Sequence, residues 1–423
     1  MKRKIEIVAI LLLSLSAAFL LHRTLHDGMN LWQRESRESA EEALLPSPLQ
    51  PVAIVINDGE QCSSLTEPNL LTTYFEQLRQ PLIELLGSAG TAETVSADQW
   101  KKALSASGVL LDYGVVLPMD VLAGDAGGSL ASREANALLI SLEEEQVRLY
   151  INGRNATCLT AQTALKTADL TALLSAPAGD AAVYASMSGY ATSALTSHSV
   201  IPLEITLQST VVRTALSDSN AAYTPERQER ILEAFGFDVY TARSYLDASE
   251  CRVFLDENGT LRLGAEGYVS FSAYETGGIF LNGAQTSVEY AACASKILQE
   301  SLVGLSGVPR YALHRVETDE TGVTLIYEAL AEGYPMIAEN GSRTAASFRF
   351  ENGWLTAAEA FLFTVAEETS EETTPAIPLY TLLSGMKGQL STGRLTPAYL
   401  QAADGWQLSW CVLPVTPSEE AKR

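Results

Sequence analysis

Two segments of the chain have spacings that nucleophilic catalysis could use. Ser384 and Lys387 have the Ser-x-x-Lys spacing, with which a lysine one helical turn away can activate a serine. Sites of that type also need Ser-x-Asn and Lys-Thr-Gly segments, and the residues after Lys387 contain neither. The segment from Gly124 to Gly128 is similar to the nucleophile loop of serine proteases, but Ala126 takes the place of the serine. Neither segment therefore predicts a nucleophilic enzyme.

Other kinds of site would need clusters of histidine or cysteine, and the sequence spaces these residues widely. The histidines are at positions 22, 26, 198 and 314, and there is no His-Glu-x-x-His, Gly-x-Ser-x-Gly or Walker A motif. The five cysteines include no Cys-x-x-Cys pair, which favours buried free thiols over a zinc site or a disulfide framework. The sequence thus predicts no catalytic, cofactor-binding or metal-binding residues and no enzyme activity.

The charge of the chain limits its partners. Its 423 residues include 28 Lys and Arg against 51 Asp and Glu, a formal net charge of −23. A chain this acidic repels nucleic acid, so we exclude a nucleic-acid partner. The content of 47% hydrophobic and 19% charged residues is that of a folding chain, and the length suits about three domains.

Aromatic side chains are frequent near the C-terminus, where they could form a binding face. Aromatic anchors are enriched at protein interfaces, and we select Trp354, Tyr399 and Trp406 as possible partner-binding residues. The same side chains are common in protein cores. Both assignments stay open at the level of the sequence.

The N-terminus has the pattern of a targeting segment. Three cations at positions 2–4 precede an apolar run that ends at Leu21, as in a signal sequence or a signal anchor. Cleavage after Ala18 would leave an apolar stub, Phe19 to Leu21, on the mature protein, so we favour an uncleaved transmembrane anchor. The basic tip then stays in the cytoplasm and the body lies outside the cell, which makes a single-pass protein of the cell membrane.

Composition and local pattern divide the chain into five stretches. These are a cytoplasmic tip and transmembrane anchor (1–21), a stalk (22–50), an N-terminal α/β lobe (51–199), a middle α+β lobe (200–320) and a C-terminal antiparallel sheet with one helix (321–415). The predicted fold class is α+β, with an N-terminal transmembrane helix followed by an exported multi-lobe body of antiparallel sheets and packed helices.

Periodicity predicts individual elements within the body. The apolar run 52–56 predicts a buried strand, and 69–86 has the apolar spacing of a helix. The stretch 158–175 predicts a weaker helix. Residues 354–365 predict a single strand after an Asn-Gly turn, and 380–390 predict a helix.

Several C-terminal motifs resemble those of a known family. Residues 327–335 read Tyr-x5-Gly-Tyr-Pro, 348–353 read Phe-Arg-Phe-Glu-Asn-Gly, and 395–399 read Leu-Thr-Pro-Ala-Tyr before a final strand at 406–415. Together with the anchor, this pattern resembles the YycH and YycI accessory proteins, which are membrane-anchored regulators of the WalK sensor kinase of Gram-positive bacteria. The resemblance covers residues 225–415 and the anchor.

The resemblance implies a regulator of a two-component system that has no catalytic residues and no cofactor. Its anchor helix would pair with a sensor histidine kinase, beside a related accessory membrane protein, and its body would act through protein contacts. The alternative is a cell-envelope protein that binds a solute or peptidoglycan, or that processes the cell wall. A solute-binding protein would have a cleaved signal, so retention of the N-terminus separates it from the regulator.

Overall fold

The computed structural model describes residues 49–143, 145–174, 179–188, 195–202, 210–216, 223–274, 278–281, 286–367, 393–402 and 405–415. The predicted anchor, nearly all of the predicted stalk, the predicted helix at 380–390 and the Ser384–Lys387 pair lie outside these residues. Within the described ranges, no helix has both the length and the apolar character that crossing a membrane requires.

The first part of the body is an antiparallel sheet of nine described strands. They are β1 (Ala53–Asn57), β2 (Cys62–Leu65), β3 (Glu93–Val95), β4 (Gly108–Pro118), β5 (Glu134–Glu143), β6 (Gln146–Asn152), β7 (Cys158–Lys166), β8 (Asp180–Tyr184) and β9 (Val200–Pro202). Their order is β3-β7-β6-β5-β4-β1-β2-β8-β9. β1 is central and all of its residues are buried, because both faces of this continuous apolar strand are covered.

Helices cover both faces of this first sheet. The described α-helices of the chain are α1 (Pro68–Gly87), α2 (Ala97–Leu104), α3 (Met119–Ala123), α4 (Thr167–Leu170), α5 (Pro225–Ala234) and α6 (Ser287–Leu302). The Glu67 carboxylate caps α1 by accepting two backbone N–H hydrogen bonds, and the helix packs its leucines with Ile54 on one face. α2 places Trp100 beside Val55 on the opposite face.

A second sheet contains fourteen described strands. They are β10 (Thr210–Ala215), β11 (Arg243–Leu246), β12 (Arg252–Leu255), β13 (Gly259–Leu263), β14 (Tyr268–Ala273), β15 (Ile279–Phe280), β16 (Arg310–Thr318), β17 (Val323–Ala331), β18 (Tyr334–Ile337), β19 (Thr344–Glu351), β20 (Trp354–Phe361), β21 (Phe363–Glu367), β22 (Gly393–Ala402) and β23 (Gly405–Pro414). The main order is β11-β12-β13-β14-β20-β19-β17-β18-β22-β23-β10-β21, with β15 beside β20 and β16 beside β17. Strands from both sides of residue 320 thus share this sheet.

Two helices pack on one face of the second sheet. α5 is capped by Thr224, whose hydroxyl accepts the Arg227 N–H, and α6 begins with a capping box. The Tyr290 ring of α6 stacks on Phe350 of β19, with ring centroids 4.6 Å apart. The Tyr327 hydroxyl of β17 donates to the carbonyl of Ala291 at 3.1 Å. The core of this region therefore lies between the helices and the sheet.

Contacts between residues distant in sequence join the two sheets. Arg394 of β22 donates to the carboxylate of Asp112 of β4 at 2.7 Å. The turn between β17 and β18 contains Gly333, which has φ +86° and lies next to the end of β2. A Cβ atom on Gly333 would lie 2.1 Å from the carbonyl oxygen of Thr66. Only glycine fits that turn without displacing the neighbouring backbone. The sheets therefore make close contact in the folded body.

The structure confirms a mixed, sheet-rich fold with a few helices, as the predicted α+β class requires. Two local predictions are wrong. In the stretch 158–175, residues 158–166 do not form a helix, because β7 pairs with β3 on one side and with β6 on the other. The helical part is limited to α4 and the 3-10 turn Thr171–Leu174 that follows it. The strand predicted at 354–365 is two strands, because the Leu362 N–H donates to Gly267 instead of continuing the ladder. The lobe boundaries stay a prediction.

Candidate functional site

Neighbouring strands of the second sheet form a polar surface, which we call the open face. Their register aligns Arg262 of β13, Ser270 of β14, Glu359 of β20 and Ser347 of β19 in one row. The adjacent row, two residues along each strand, consists of Thr260, Ser272, Ala357, Arg349 and Thr324. Directly opposed residues share a face, and faces alternate along a strand. The two rows line a concavity of about 530 Å³.

The residues between these rows lie on the other face of the same strands. A row of Leu261, Phe271, Ala358, Phe348 and Leu325 is almost completely buried. These residues belong to the core that α5 and α6 cover. Because the helices bury the apolar row, the alternation of the strands turns the polar rows outward.

The guanidinium of Arg349 on the open face is already paired. Its Nη1 and Nη2 atoms donate to the two carboxylate oxygens of Asp319 at 2.7 and 2.8 Å, and its Nε donates to Glu351 at 3.0 Å. The hydrogen bonds to Asp319 are the main cause of a raised pKa of Arg349, and they hold the pKa of Asp319 below its usual range. Arg349 therefore stiffens this end of the face.

The other charged groups of the open face are available to a ligand. Arg262 is exposed and forms no ion pair or hydrogen bond within the described residues. Glu359 accepts a hydrogen bond from the Tyr268 hydroxyl at 3.3 Å, and one strand separates it from Arg262, which sets their backbones about 10 Å apart. With the serine and threonine hydroxyls between them, these groups can bind a polar partner. The rows contain no histidine, cysteine or lysine that could act as base or nucleophile.

The three aromatic residues predicted to bind a partner do not lie together. Tyr399 is completely buried and its hydroxyl donates to Glu332 at 2.9 Å. Trp406 is only 8% exposed, in the same core cluster as Tyr399. Trp354 is half-buried, and its ring lies 4.6 Å from that of the exposed Phe280. Of the three, Trp354 alone is placed to contact a partner directly, and that role stays a prediction.

Within the part of the chain that the structure describes, the histidines and the segment from Gly124 lie outside the open face. His198 and His314 are both buried, and burial lowers the pKa of His198 to about 4. The segment from Gly124 lies in a 3-10 turn after α3. Over the described ranges, no three or more histidine, cysteine and acidic side chains are grouped so as to hold a metal ion.

No sequence motif marks the open face. Its residues are mainly serine, threonine and alanine, which carry no chemical signal individually. The sequence of β14 does indicate one polar face, because Ser270 and Ser272 alternate with Phe271, which is buried on the other face. The sequence does not show that β14 lies beside β20, and the face exists only through that pairing.

Comparison with known proteins places the chain in a known fold. No protein-family model matches it, and no curated protein matches it in sequence. Among solved structures it is similar to the crystal structure of YycH from Bacillus subtilis, with a TM-score of 0.50 and 12% sequence identity. The match covers 89% of this chain and 97% of that chain. The chain therefore has a YycH-like fold, as the resemblance of its C-terminal motifs implies.

Proposed function

We propose that this chain is a membrane-anchored, extracytoplasmic regulator of a two-component sensor kinase, which acts through protein contacts and without catalysis. The observation that carries the proposal is the fold shared with YycH, which extends over 97% of that chain. The C-terminal motifs at 327–335, 348–353 and 395–399 also support it, since they resemble short sequence patterns of the YycH and YycI accessory proteins.

The N-terminal segment would supply the contact within the membrane. Cations at positions 2–4 would hold the tip in the cytoplasm, and the apolar run to Leu21 would lie beside the transmembrane helices of the kinase. A related accessory membrane protein would be a further partner, as the family resemblance implies.

The open face is the surface that we assign to the exported body's contact with the kinase. It is built on paired strands, so its hydroxyls and charges are held in fixed positions. Its polarity suits a contact that forms and separates, because permanent interfaces bury more apolar surface. The charges of Arg262 and Glu359 would then select a partner.

The same face favours a second candidate function, the binding of a cell-envelope polymer such as peptidoglycan. A concavity of about 530 Å³ lined by hydroxyls could hydrogen-bond a hydroxyl-rich ligand. A pull-down with purified peptidoglycan tests this candidate by comparing the binding of the full chain with the binding of its Ser347→Tyr variant.

A reporter of kinase output in the native bacterium tests the proposed regulation. We expect replacement of residues 5–21 by an unrelated transmembrane helix to alter the output, since helix packing in the membrane would be lost. Ser347→Tyr should also alter it, because the ring would fill the open face. Ser132→Tyr is the matched control and should have no effect. It is the same substitution at an exposed position in the turn before β5 of the first sheet.

The outcomes separate regulation from enzymatic activity. If Ser384→Ala abolishes the output of the kinase while the anchor replacement and Ser347→Tyr leave that output unchanged, the proposed regulation is wrong and an enzymatic activity should be sought. N-terminal sequencing accompanies the test, and a mature chain that begins at Phe19 would remove the anchor from the proposal.

A further inference from the structure

A cleft lies beside the first described residues of the body, away from the open face. It has a volume of about 220 Å³ and lies between α6 and β16. Its walls are mainly apolar and include Leu49, Leu298, Leu302, Val308 and Leu313. Three of these, Leu298, Leu302 and Leu313, also belong to the core, so the cleft has rigid apolar walls.

One cationic side chain, Arg310, lines this apolar cleft. Its Nη2 atom donates to the backbone carbonyls of Gln50 and Pro51 at 2.9 and 2.8 Å. No other hydrogen bond of the guanidinium is found among the described residues, so Nε and Nη1 keep unused donors. Carbonyl oxygens carry no charge, and no carboxylate of the described ranges forms an ion pair with Arg310.

The carboxylate whose charge influences the pKa of Arg310 is bound by another arginine. Glu328 accepts two hydrogen bonds from Arg343 in a buried ion pair. Burial lowers the pKa of Arg310 to about 10, and the charge of Glu328 only partly opposes this effect. A partly desolvated guanidinium with free donors in an apolar cleft is a site for an anion.

We propose that this cleft binds a small amphiphile with a carboxylate at one end, held by Arg310, and an alkyl tail along the leucine walls. An apolar cavity of about 150 Å³ accommodates benzene, so 220 Å³ suits a tail of about eight carbons. Charge complementarity selects a carboxylate over an amine. Ligand binding in this cleft does not depend on the proposed regulation of a kinase.

The position of the site gives the ligand a route to affect the chain. Arg310 holds the backbone at Gln50 and Pro51, where the described body begins. A carboxylate bound to the same guanidinium competes with or reinforces those two hydrogen bonds. Ligand occupancy therefore acts on the segment that connects residues 1–48 to the sheets.

Photocrosslinking to the full chain tests the site directly. The probe is octanoate with a diazirine on its tail, applied to the chain in lipid nanodiscs, and labelled residues are mapped by mass spectrometry. We expect label on 298–302 and 308–313. Unlabelled octanoate should compete at least tenfold better than octylamine, and each methylene from hexanoate to octanoate should improve competition about three- to fourfold.

Two matched variants distinguish the site from adsorption to lipid. Val308 lines the cleft and is 39% exposed, whereas Val303 is 47% exposed and outside it. Val308→Glu places a carboxylate beside Arg310 and should reduce labelling at least tenfold, while Val303→Glu should label like the unmodified chain. Equal competition by octylamine, label outside the cleft, or unchanged labelling of Val308→Glu would overturn the proposal.

Discussion

His198 is buried where residues of both sheets meet. Its ring lies edge-on to Trp100 of α2, 5.9 Å between centroids. Burial is the main cause of its low pKa of about 4, Asp112 opposes the shift, and Arg394 adds to it. The imidazole is therefore neutral in the folded protein at pH values where an exposed histidine takes up a proton.

The lowered pKa of His198 predicts that the folded protein becomes less stable as the pH falls. The folded pKa is below the unfolded value, so the unfolded chain binds more protons and the free energy of unfolding falls as pH decreases from about 6.5 to about 4. The loss from this group should approach roughly 3 kcal/mol at the acid end. Denaturant titrations of the protein and of His198→Gln measure it.

Comparison of the unmodified protein with His198→Gln separates the effect of the imidazole on stability from the effects of the many carboxylates. Above pH 7 their stabilities should run parallel, and below it the His198→Gln chain should lose less stability. Curves that stay parallel down to pH 4 would show that His198 does not titrate on unfolding in this range.

At the scale of single elements, β19 shows how one strand serves core and surface. Phe348 is completely buried, with its ring edge-on to Tyr327 at 5.9 Å, whereas Ser347 and Arg349 belong to the open face. The strand alternates because α6 covers only one side of it.

The alternation predicts that substitutions at adjacent residues of β19 affect the free energy of unfolding very differently. Phe348→Ala should lower the free energy of unfolding by about 3–5 kcal/mol, because it leaves a cavity in the core. Ser347→Ala should change it by less than about 0.5 kcal/mol. Chemical denaturation of the two variants measures both, and a similar loss for both would mean that the open face is packed against something.

At the scale of the whole molecule, an ion pair links the sheets. Arg394 and Asp112 have side chains only 11% and 2% exposed, and Asp112 also accepts the Gly114 N–H at 2.8 Å. A buried charge without its partner is strongly unfavourable, whereas removal of both charges costs less.

The pair predicts strong coupling between the sheets. Arg394→Met should destabilise the protein by about 3–5 kcal/mol, because Asp112 loses its counter-charge. The double variant Arg394→Met with Asp112→Asn should recover part of that loss. A double-mutant cycle by denaturation measures the coupling, and additive single effects would contradict it.

Sequence pattern alone was sufficient to predict the elements whose apolar periodicity is local. The apolar run at 52–56 was sufficient for β1, and the spacing of leucines in 69–86 was sufficient for α1, because burial of an apolar stripe is encoded every few residues. The C-terminal motifs likewise indicated the YycH-like fold that the structural comparison bears out.

Which strands become neighbours and which faces are covered is visible in the folded chain and not in its sequence. β7 looked helical until its pairing with β3 and β6 was known. Tyr399 and Trp406 could equally have been core or interface by residue type, and the packing around them placed both inside. The open face and the Arg310 cleft each combine residues far apart in the chain. Local patterns specify the tendency to bury a side chain, whereas the partner that covers it comes from a distant part of the sequence.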